Sequence, residues 1–207
     1  MCHHLLPSTK VAGLRLAWCL CVFLVLPACT PAKDKAGAGL QNATVLVVRH
    51  AEKPNKGADL SKAGKKRAEA YVGYFQSYAV DAQPLHLSYL FAAADSKQSD
   101  RARLTLEPLS KALGLPIDSQ YPETKSQELV DTMRKLPAGN QMLIAWHHGE
   151  IPHLLTALGA DSQQVLGRKD WPDDVFDWVI QLRYDAKGRL IDAKRVNEQL
   201  MPGDTGK

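Results

Sequence analysis

Short aliphatic runs alternate with segments of helical periodicity between residues 43 and 160. The aliphatic runs predict four strands, TVLVV, LHLSYLFAAA, PIDSQY and QMLIAW. TVLVV is apolar at nearly every position, which is typical of a strand that is buried on both faces. The alternation of strands and helices predicts an α/β fold with three α/β/α layers and a mostly parallel central sheet.

Four helices are predicted around these strands. The first lies in DLSKAGKKRAEAYVGYFQSY, with Ser61 as its N-cap, and its run Lys65–Arg67 is expected to face solvent. The second begins near Arg101 in DRARLTLEPLSKALG and ends at Gly114, and Pro108 either kinks it or marks an irregular first turn. The last two lie in SQELVDTMRKL and IPHLLTALG.

The pattern changes near the C-terminus. FDWVIQLRYD alternates apolar and polar positions, and AKGRLIDAKRV follows after a Lys-Gly turn. This pattern predicts an antiparallel hairpin at one edge of the otherwise parallel sheet.

The first residues have the features of a targeting segment. Lys10 and Arg15 precede an apolar run, Leu16–Ala28, that is short for a membrane-spanning helix. LPACT resembles the bacterial lipobox, whose cysteine, here Cys29, becomes the lipidated first residue of the mature protein. An ordinary cleaved signal and an uncleaved anchor are the alternatives. By resemblance to lipoprotein sorting rules, Thr30 favours the outer membrane, facing the periplasm.

These features divide the chain into four parts. We predict a signal peptide over 1–28, a flexible tether over 29–42, one globular domain over 43–200 and a tail over 201–207. All four cysteines lie at or before Cys29, so the domain has neither disulfides nor thiolate metal sites. The leader holds two of the 26 Lys and Arg and none of the 22 Asp and Glu, so the net charge falls from +4 to +2 without it. This near-balance argues against nucleic acid as a partner.

Basic side chains follow three of the predicted strands. Arg49 and His50 follow the first, Arg101 comes after the second, and His147 and His148 follow QMLIAW. The carboxyl ends of parallel strands form the ligand crevice of open α/β sheets. Cations gathered there without acidic partners indicate a dense anion, and a phosphate monoester matches the planar fork of arginine.

An imidazole in such a site can act as a nucleophile. With the phosphate charge screened, a neutral ring can attack phosphorus and form a phosphohistidine, which divides the displacement into two steps. The attacking nitrogen needs a free lone pair, so the other nitrogen must carry the proton and be held, most simply by a backbone carbonyl. Taken singly, Arg49 and His50 are more often structural; together with the other strand-end residues they indicate catalysis.

Four motifs carry a family resemblance. RHAE, LSKAGKKRA, SDRARLTLEPL and WHHGEIPHLLTALG resemble, in order and spacing, the histidine phosphatase superfamily with its phosphoglycerate mutase-like fold, over residues 43–160. The resemblance implies that His50 is the nucleophile and that Arg49, Arg101 and a second histidine bind phosphate. It implies no metal and no cofactor.

The identity of the second histidine is open at this stage. Spacing to Ile151 favours His147, whereas the HG dipeptide favours His148, which we take as the catalytic residue, with His147 flanking the phosphate. A leaving alkoxide also needs an acid. Glu150 is the first candidate because it lies just past the histidines, although Gly149 occupies the position where acid phosphatases have an aspartate.

The remaining candidates for the acid are Glu52, Glu123 and Glu128, which have less support than Glu150.

The sequence predicts a metal-independent phosphatase for a small or envelope-derived phosphomonoester. Its rivals are a phosphoglycerate mutase-like phosphotransferase and a non-catalytic anion-binding envelope lipoprotein. We also expect the protein to be attached to the membrane through lipid on Cys29.

Overall fold

The computed structural model describes Met1 and residues 38–204. The predicted signal peptide, the lipidation site Cys29 and most of the predicted tether lie outside these residues. Residues 38–204 belong to one compact unit. Within the described part of the chain, no helix has the length and the apolar character that crossing a membrane requires.

A six-stranded sheet forms the centre of the molecule, in the order β5-β4-β6-β1-β7-β8. The strands, with a separate small hairpin of β2 and β3, are β1 Thr44–Arg49, β2 Ala79–Val80, β3 Gln83–Pro84, β4 Tyr89–Ala93, β5 Ile117–Tyr121, β6 Gln141–Trp146, β7 Trp178–Tyr184 and β8 Leu190–Asn197. β5, β4, β6 and β1 are parallel to one another, whereas β7 is antiparallel to both β1 and β8. The mostly parallel sheet and the C-terminal hairpin are therefore confirmed.

Five helices accompany the sheet within residues 38–204: α1 Lys62–Gln76, α2 Arg101–Leu113, α3 Ser126–Met133, α4 Ile151–Ala157 and α5 Ser162–Leu166. The Oγ of Ser61 accepts the backbone N–H of Gly64 at 3.1 Å, which confirms the predicted N-cap of α1. Gly114 ends α2 with a φ of 67°, and Pro108 lies inside that helix. The sequence pattern did not predict α5 or the β2–β3 hairpin.

The burial of β1 shows that helices cover both faces of the sheet. Successive strand residues point to opposite faces, and Val45, Leu46, Val47 and Val48 are all fully buried. Helix α1 packs against α2, which lies on β4, β5 and β6, while α3 packs against α4 and α4 against α5. The result is the predicted three-layer arrangement.

The folded part begins before the predicted boundary at residue 43. Ala38 and Leu40 are buried, and Asn42 donates its backbone N–H to Asp185 O at 2.9 Å. Gly39 lies so close to the carbonyl of Met133 that a side chain there would overlap it. Residues 38–42 therefore pack against the domain, in contrast to the flexible tether that their composition predicted.

A buried ionic cluster ties α1 to the C-terminal residues. Arg67 is only 2% exposed and donates to Glu52 at 2.8 and 3.0 Å, to Asp204 at 2.6 and 3.1 Å and to Glu198 at 3.3 Å. Tyr71 donates its hydroxyl to Glu198 at 2.7 Å, and burial raises the pKa of Glu198 to about 8. The predicted exposure of Arg67 is wrong, because three carboxylates distant in sequence surround it. Asp204, in the predicted tail, belongs to this cluster.

We predict opposite effects of two alanine substitutions in α1. A Cβ at residue 64 would meet the backbone N of Glu52 at 2.9 Å and its carbonyl oxygen more closely, whereas a Cβ at residue 73 would meet open space. We expect Gly64→Ala to lower the free energy of unfolding by about 1–3 kcal/mol through overpacking. Gly73→Ala should raise it by about 0.5–1 kcal/mol through helix propensity. Urea unfolding of the full chain measures both, and equal effects would contradict the close approach of α1 to Glu52.

Candidate active site

The parallel register of β1 and β6 brings two histidines together. Arg49 pairs with Trp146 at the ends of these neighbouring strands, so His50 and His147 follow side by side. The backbone N–H of His50 donates to Trp146 O at 2.8 Å. The two imidazole rings lie edge to face, with centroids 5.0 Å apart and an interplanar angle of 67°. The strands therefore fix this pair of rings.

The environment of His50 selects one neutral tautomer. The residue is 2% exposed, and its Nδ1 lies 2.8 Å from the carbonyl oxygen of Ala51. A carbonyl only accepts, so Nδ1 carries the proton and Nε2 keeps its lone pair. Burial lowers the pKa of His50 to about 3, assisted by the charges of His147 and Arg49 and opposed by the Ala51 hydrogen bond. The ring is therefore uncharged at neutral pH.

Arg49 is held by main-chain carbonyls of the segment 172–176. Its Nη1 donates to Pro172 O at 3.0 Å, Asp173 O at 2.8 Å and Val175 O at 3.0 Å, and its Cζ lies 3.8 Å from the centroid of the Phe176 ring. Burial lowers the pKa of Arg49 to about 10, so it stays cationic at neutral pH. Nε and Nη2 are buried and have no hydrogen-bond partner among the described residues. This edge of the guanidinium is left to bind an anion.

Arg101 begins α2 and contributes a second guanidinium. Its Nη1 donates to Gly57 O at 3.0 Å, and its Nε is buried without a partner in the described part of the chain. Burial lowers the pKa of Arg101. The hydroxyl of Thr105 donates to Arg101 O at 2.7 Å and accepts the N–H of Ala51 at 2.8 Å. This hydroxyl therefore links the first turn of α2 to the residue that orients His50.

His147 and His148 face different partners. His147 Nδ1 lies 3.1 Å from Glu123 Oε2, and burial, followed by the charges of Arg101 and His148, lowers the pKa of His147 to about 4. His148 Nε2 lies 2.7 Å from Asp173 Oδ1, and burial lowers the pKa of His148, with Arg49 the next cause. The structure thus places His147 against His50 and turns His148 toward the segment that holds Arg49.

The four candidate acids have different surroundings. Glu52 pairs with Arg67, the exposed Glu128 pairs with Lys125 at 2.7 Å, and Glu150 lies 3.0 Å from His153 Nδ1. Glu123 is the candidate whose carboxyl contacts the histidine pair. Burial raises the pKa of Glu123, and the charge of Glu150 raises it further while Arg101 opposes the shift. A carboxyl that is more readily protonated, placed beside the site, is suited to proton donation.

A cavity of about 540 Å³ opens beside these groups. Arg101, Glu123 and His147 line one part of it, and the remainder is lined by Ala94, Asp95, Ser96, Gln98, Ser99, Pro122 and Thr124. The cavity therefore extends from the cationic groups along two loops at the carboxyl ends of β4 and β5. Among the described residues there is no group of three or more His, Cys, Asp or Glu side chains that could hold a metal ion.

The chain is similar to several solved phosphatase structures. The protein histidine phosphatase SixA complexed with tungstate is 15% identical with a TM-score of 0.49, over 75% of this chain and 97% of that chain. The putative phosphohistidine phosphatase SixA from Agrobacterium tumefaciens is 19% identical with a TM-score of 0.49, over 73% and 97%. A mycobacterial glucosyl-3-phosphoglycerate phosphatase is 14% identical with a TM-score of 0.48, over 76% and 99%.

No protein-family model matches the chain, and no curated protein matches it.

The sequence patterns missed two parts of the site and gave a third less support than it deserved. The carbonyls of the segment 172–176 and the hydroxyl of Thr105 as a link were not predicted, and Glu123 was a secondary candidate. A main-chain carbonyl has no sequence signature. For Thr105, its spacing of four residues after Arg101 was the available signal.

We predict that the free energy of unfolding falls as the pH falls below 6.5. Because the folded-state pKa values of His50 and His147 lie below the ordinary value, the unfolded chain binds protons that the folded chain excludes between about pH 6.5 and pH 3. Each histidine changes the free energy of unfolding by at most about 1.4 kcal/mol per pH unit.

His50→Gln should reduce this slope, whereas replacing the exposed His86 by Gln should leave it unchanged. Urea unfolding at several pH values measures both variants. An identical slope in wild type and His50→Gln would show that burial does not exclude the proton from His50.

Proposed function

We propose that this protein is a phosphomonoester phosphatase that is transiently phosphorylated on His50. The proposal rests on one observation: a buried, neutral imidazole whose Nε2 keeps its lone pair lies in the same site as a guanidinium edge that has no hydrogen-bond partner in residues 38–204. A lone pair next to unpaired buried cationic donors is suited to a phosphoryl group, which supplies both the electrophile and the acceptor oxygens.

Arg49, Arg101 and His147 hold the phosphoryl oxygens in this proposal. Nε and Nη2 of Arg49 offer two parallel donors, and Nε of Arg101 offers a third. His147 contacts the ring of His50 and so faces the phosphoryl group from the other strand. We therefore assign the second catalytic histidine to His147. His148, the choice favoured by the HG dipeptide, contacts Asp173, and we propose that it flanks the phosphate.

The reaction has two displacements. First, the lone pair of His50 Nε2 forms a bond to phosphorus, the bond from phosphorus to the ester oxygen breaks, and that oxygen takes a proton from the Glu123 carboxyl. Then the Glu123 carboxylate takes a proton from water, whose oxygen bonds to phosphorus while the N–P bond breaks. Inorganic phosphate leaves, and both residues return to their starting states.

The proposed chemistry draws its cationic charge from the two arginines. Guanidinium groups neutralise the phosphoryl oxygens and orient them, which are the main tasks of a phosphoryl-transfer site. We therefore expect activity to persist in the presence of a chelator.

We predict metal-independent hydrolysis of p-nitrophenyl phosphate by the full chain. His50→Ala should lower kcat by about 10³-fold or more, because it removes the nucleophile. A short incubation with radiolabelled substrate should trap label on the wild type that is labile in acid and stable in base, as expected of a phosphohistidine. Label that moves to an added alcohol in preference to water would indicate a phosphotransferase, and tight phosphate binding without turnover would indicate an anion-binding protein.

The same assay distinguishes the candidate acids. Glu123→Gln should lower kcat for an alkyl phosphate by about 10²–10⁴-fold and affect p-nitrophenyl phosphate less, since p-nitrophenolate leaves without a proton. Glu150→Gln and Glu128→Gln are the matched controls, and we expect them to keep the wild-type ratio between the two substrates. A selective loss in Glu150→Gln would restore Glu150 as the acid.

We further propose that the protein is exported and is attached to the bacterial envelope through lipid on Cys29, where envelope-derived phosphomonoesters would be accessible. The leader sequence supports this proposal. In cells fed radiolabelled palmitate, the full chain should incorporate label and Cys29→Ser should not. Equal labelling of the two chains would refute attachment at Cys29.

A further inference from the structure

The cavity beside the catalytic groups has a wall of hydroxyl and amide side chains. Its volume of about 540 Å³ lies within the range of about 300–1,000 Å³ that is usual for small-molecule sites. Ser96, Gln98, Ser99 and Thr124 line the part beyond Arg101 and His147. A leaving group in this part of the cavity would therefore meet mainly polar side chains.

Two of these hydroxyls are held with their protons available. Ser96 Oγ accepts the backbone N–H of Gln98 at 3.2 Å and of Ser99 at 3.1 Å. Ser99 Oγ accepts the backbone N–H of Arg101 at 3.3 Å. Because each oxygen is used as an acceptor, its O–H can donate to a ligand. Hydroxyl donors in fixed positions are suited to ligands that carry several hydroxyl groups.

The charge of the cavity wall disfavours a second anion on the substrate. Asp95 and Glu123 line the cavity, and Asp95 is already paired with Arg103 at 2.7 Å. Among the described lining residues the permanent cation is Arg101, which the phosphoryl group occupies. A carboxylate on the leaving group would enter this part of the cavity without a cation of its own, and a charge that leaves water without a partner is costly.

The described wall has no large apolar side chain. Ala94 and Pro122 are the apolar residues among the described lining, and no aromatic or long aliphatic side chain lies there apart from the imidazole of His147. An alkyl chain in this cavity would find no large apolar side chain to pack against, and part of its surface would lie against hydroxyl and amide groups.

We infer that the leaving group of the substrate is a small, uncharged polyol, so that the enzyme selects sugar-like phosphomonoesters over those that carry a carboxylate or an alkyl chain. This inference rests on the proposed phosphatase activity and specifies the substrate class of the same site. The wall residues Ser96, Gln98, Ser99 and Thr124 are its specificity determinants.

The test compares three esters with the full chain. Glucose 6-phosphate represents the uncharged polyol, 3-phosphoglycerate the carboxylate and hexyl phosphate the alkyl chain, with p-nitrophenyl phosphate as the reference for basal activity. We expect kcat/KM for glucose 6-phosphate to exceed that for the other two alkyl esters by about tenfold or more. An equal or higher value for 3-phosphoglycerate or hexyl phosphate, with p-nitrophenyl phosphate turned over, would overturn the inference and leave the proposed function standing.

A charge-insertion variant tests the wall itself. Thr124→Lys places an ammonium group beside Glu123, so kcat/KM for 3-phosphoglycerate relative to glucose 6-phosphate should rise by about tenfold. Thr156→Lys adds the same charge on the exposed face of α4, outside the cavity lining, and should leave the ratio at its wild-type value. Equal ratios in the two variants would show that residue 124 does not face the leaving group.

Binding measurements separate the inference from the proposed function. If none of the four esters is hydrolysed, the proposed function fails, and titration calorimetry of the His50→Ala chain still compares the ligands. Tighter binding of glucose 6-phosphate than of 3-phosphoglycerate and hexyl phosphate supports the inferred ligand class. Equal or reversed affinities refute it.

Discussion

The hydrogen bond between His50 Nδ1 and the carbonyl of Ala51 is the interaction on which the site depends. It holds the proton on one nitrogen and so leaves the other nitrogen with its lone pair. Burial alone would keep the ring neutral, but it would not choose between the two tautomers. Ala51 is fixed in turn through its N–H by Thr105, whose hydroxyl also binds the carbonyl of Arg101. One hydroxyl thus couples the orientation of the His50 ring to the helix that carries Arg101.

Arg49 is a buried cation whose hydrogen-bond partners, within the described part of the chain, are main-chain carbonyls. Three carbonyls of the segment 172–176 accept from one nitrogen, and the Phe176 ring covers the guanidinium face. Carbonyl dipoles lower the cost of burying the charge and leave it uncancelled, so the remaining donors keep their attraction for an anion. The ion pairs of Arg67 have the opposite role. Its three carboxylates satisfy the charge and join α1 to Glu52 and to residues near the C-terminus.

Local patterns were sufficient for the elements and for the chemistry of the site. Alternating and continuous apolar runs predicted β1, β4, β6 and the C-terminal hairpin, because a strand that is buried on one or both faces has apolar residues at regular positions. Arg49, His50, Arg101 and the His147-His148 pair were found because residues after parallel strands share one edge of the sheet. Only α5 and the two-residue strands β2 and β3 were missed, since each is too short to build a periodic signal.

The tertiary structure decided what depends on partners distant in the chain. The register between β1 and β6 set His147 against His50, whereas spacing within the sequence left the two histidines nearly equivalent. Glu123, in the loop after β5, contacts His147. Arg67 is buried because it pairs with Glu52 and with two carboxylates more than 130 residues away in the sequence. By itself, the sequence determined the order of the elements, the polar residues at the strand ends and the imidazole that we propose as the nucleophile. Which neighbours those residues meet was decided by folding, because such contacts join separate segments and follow from no periodicity within either one.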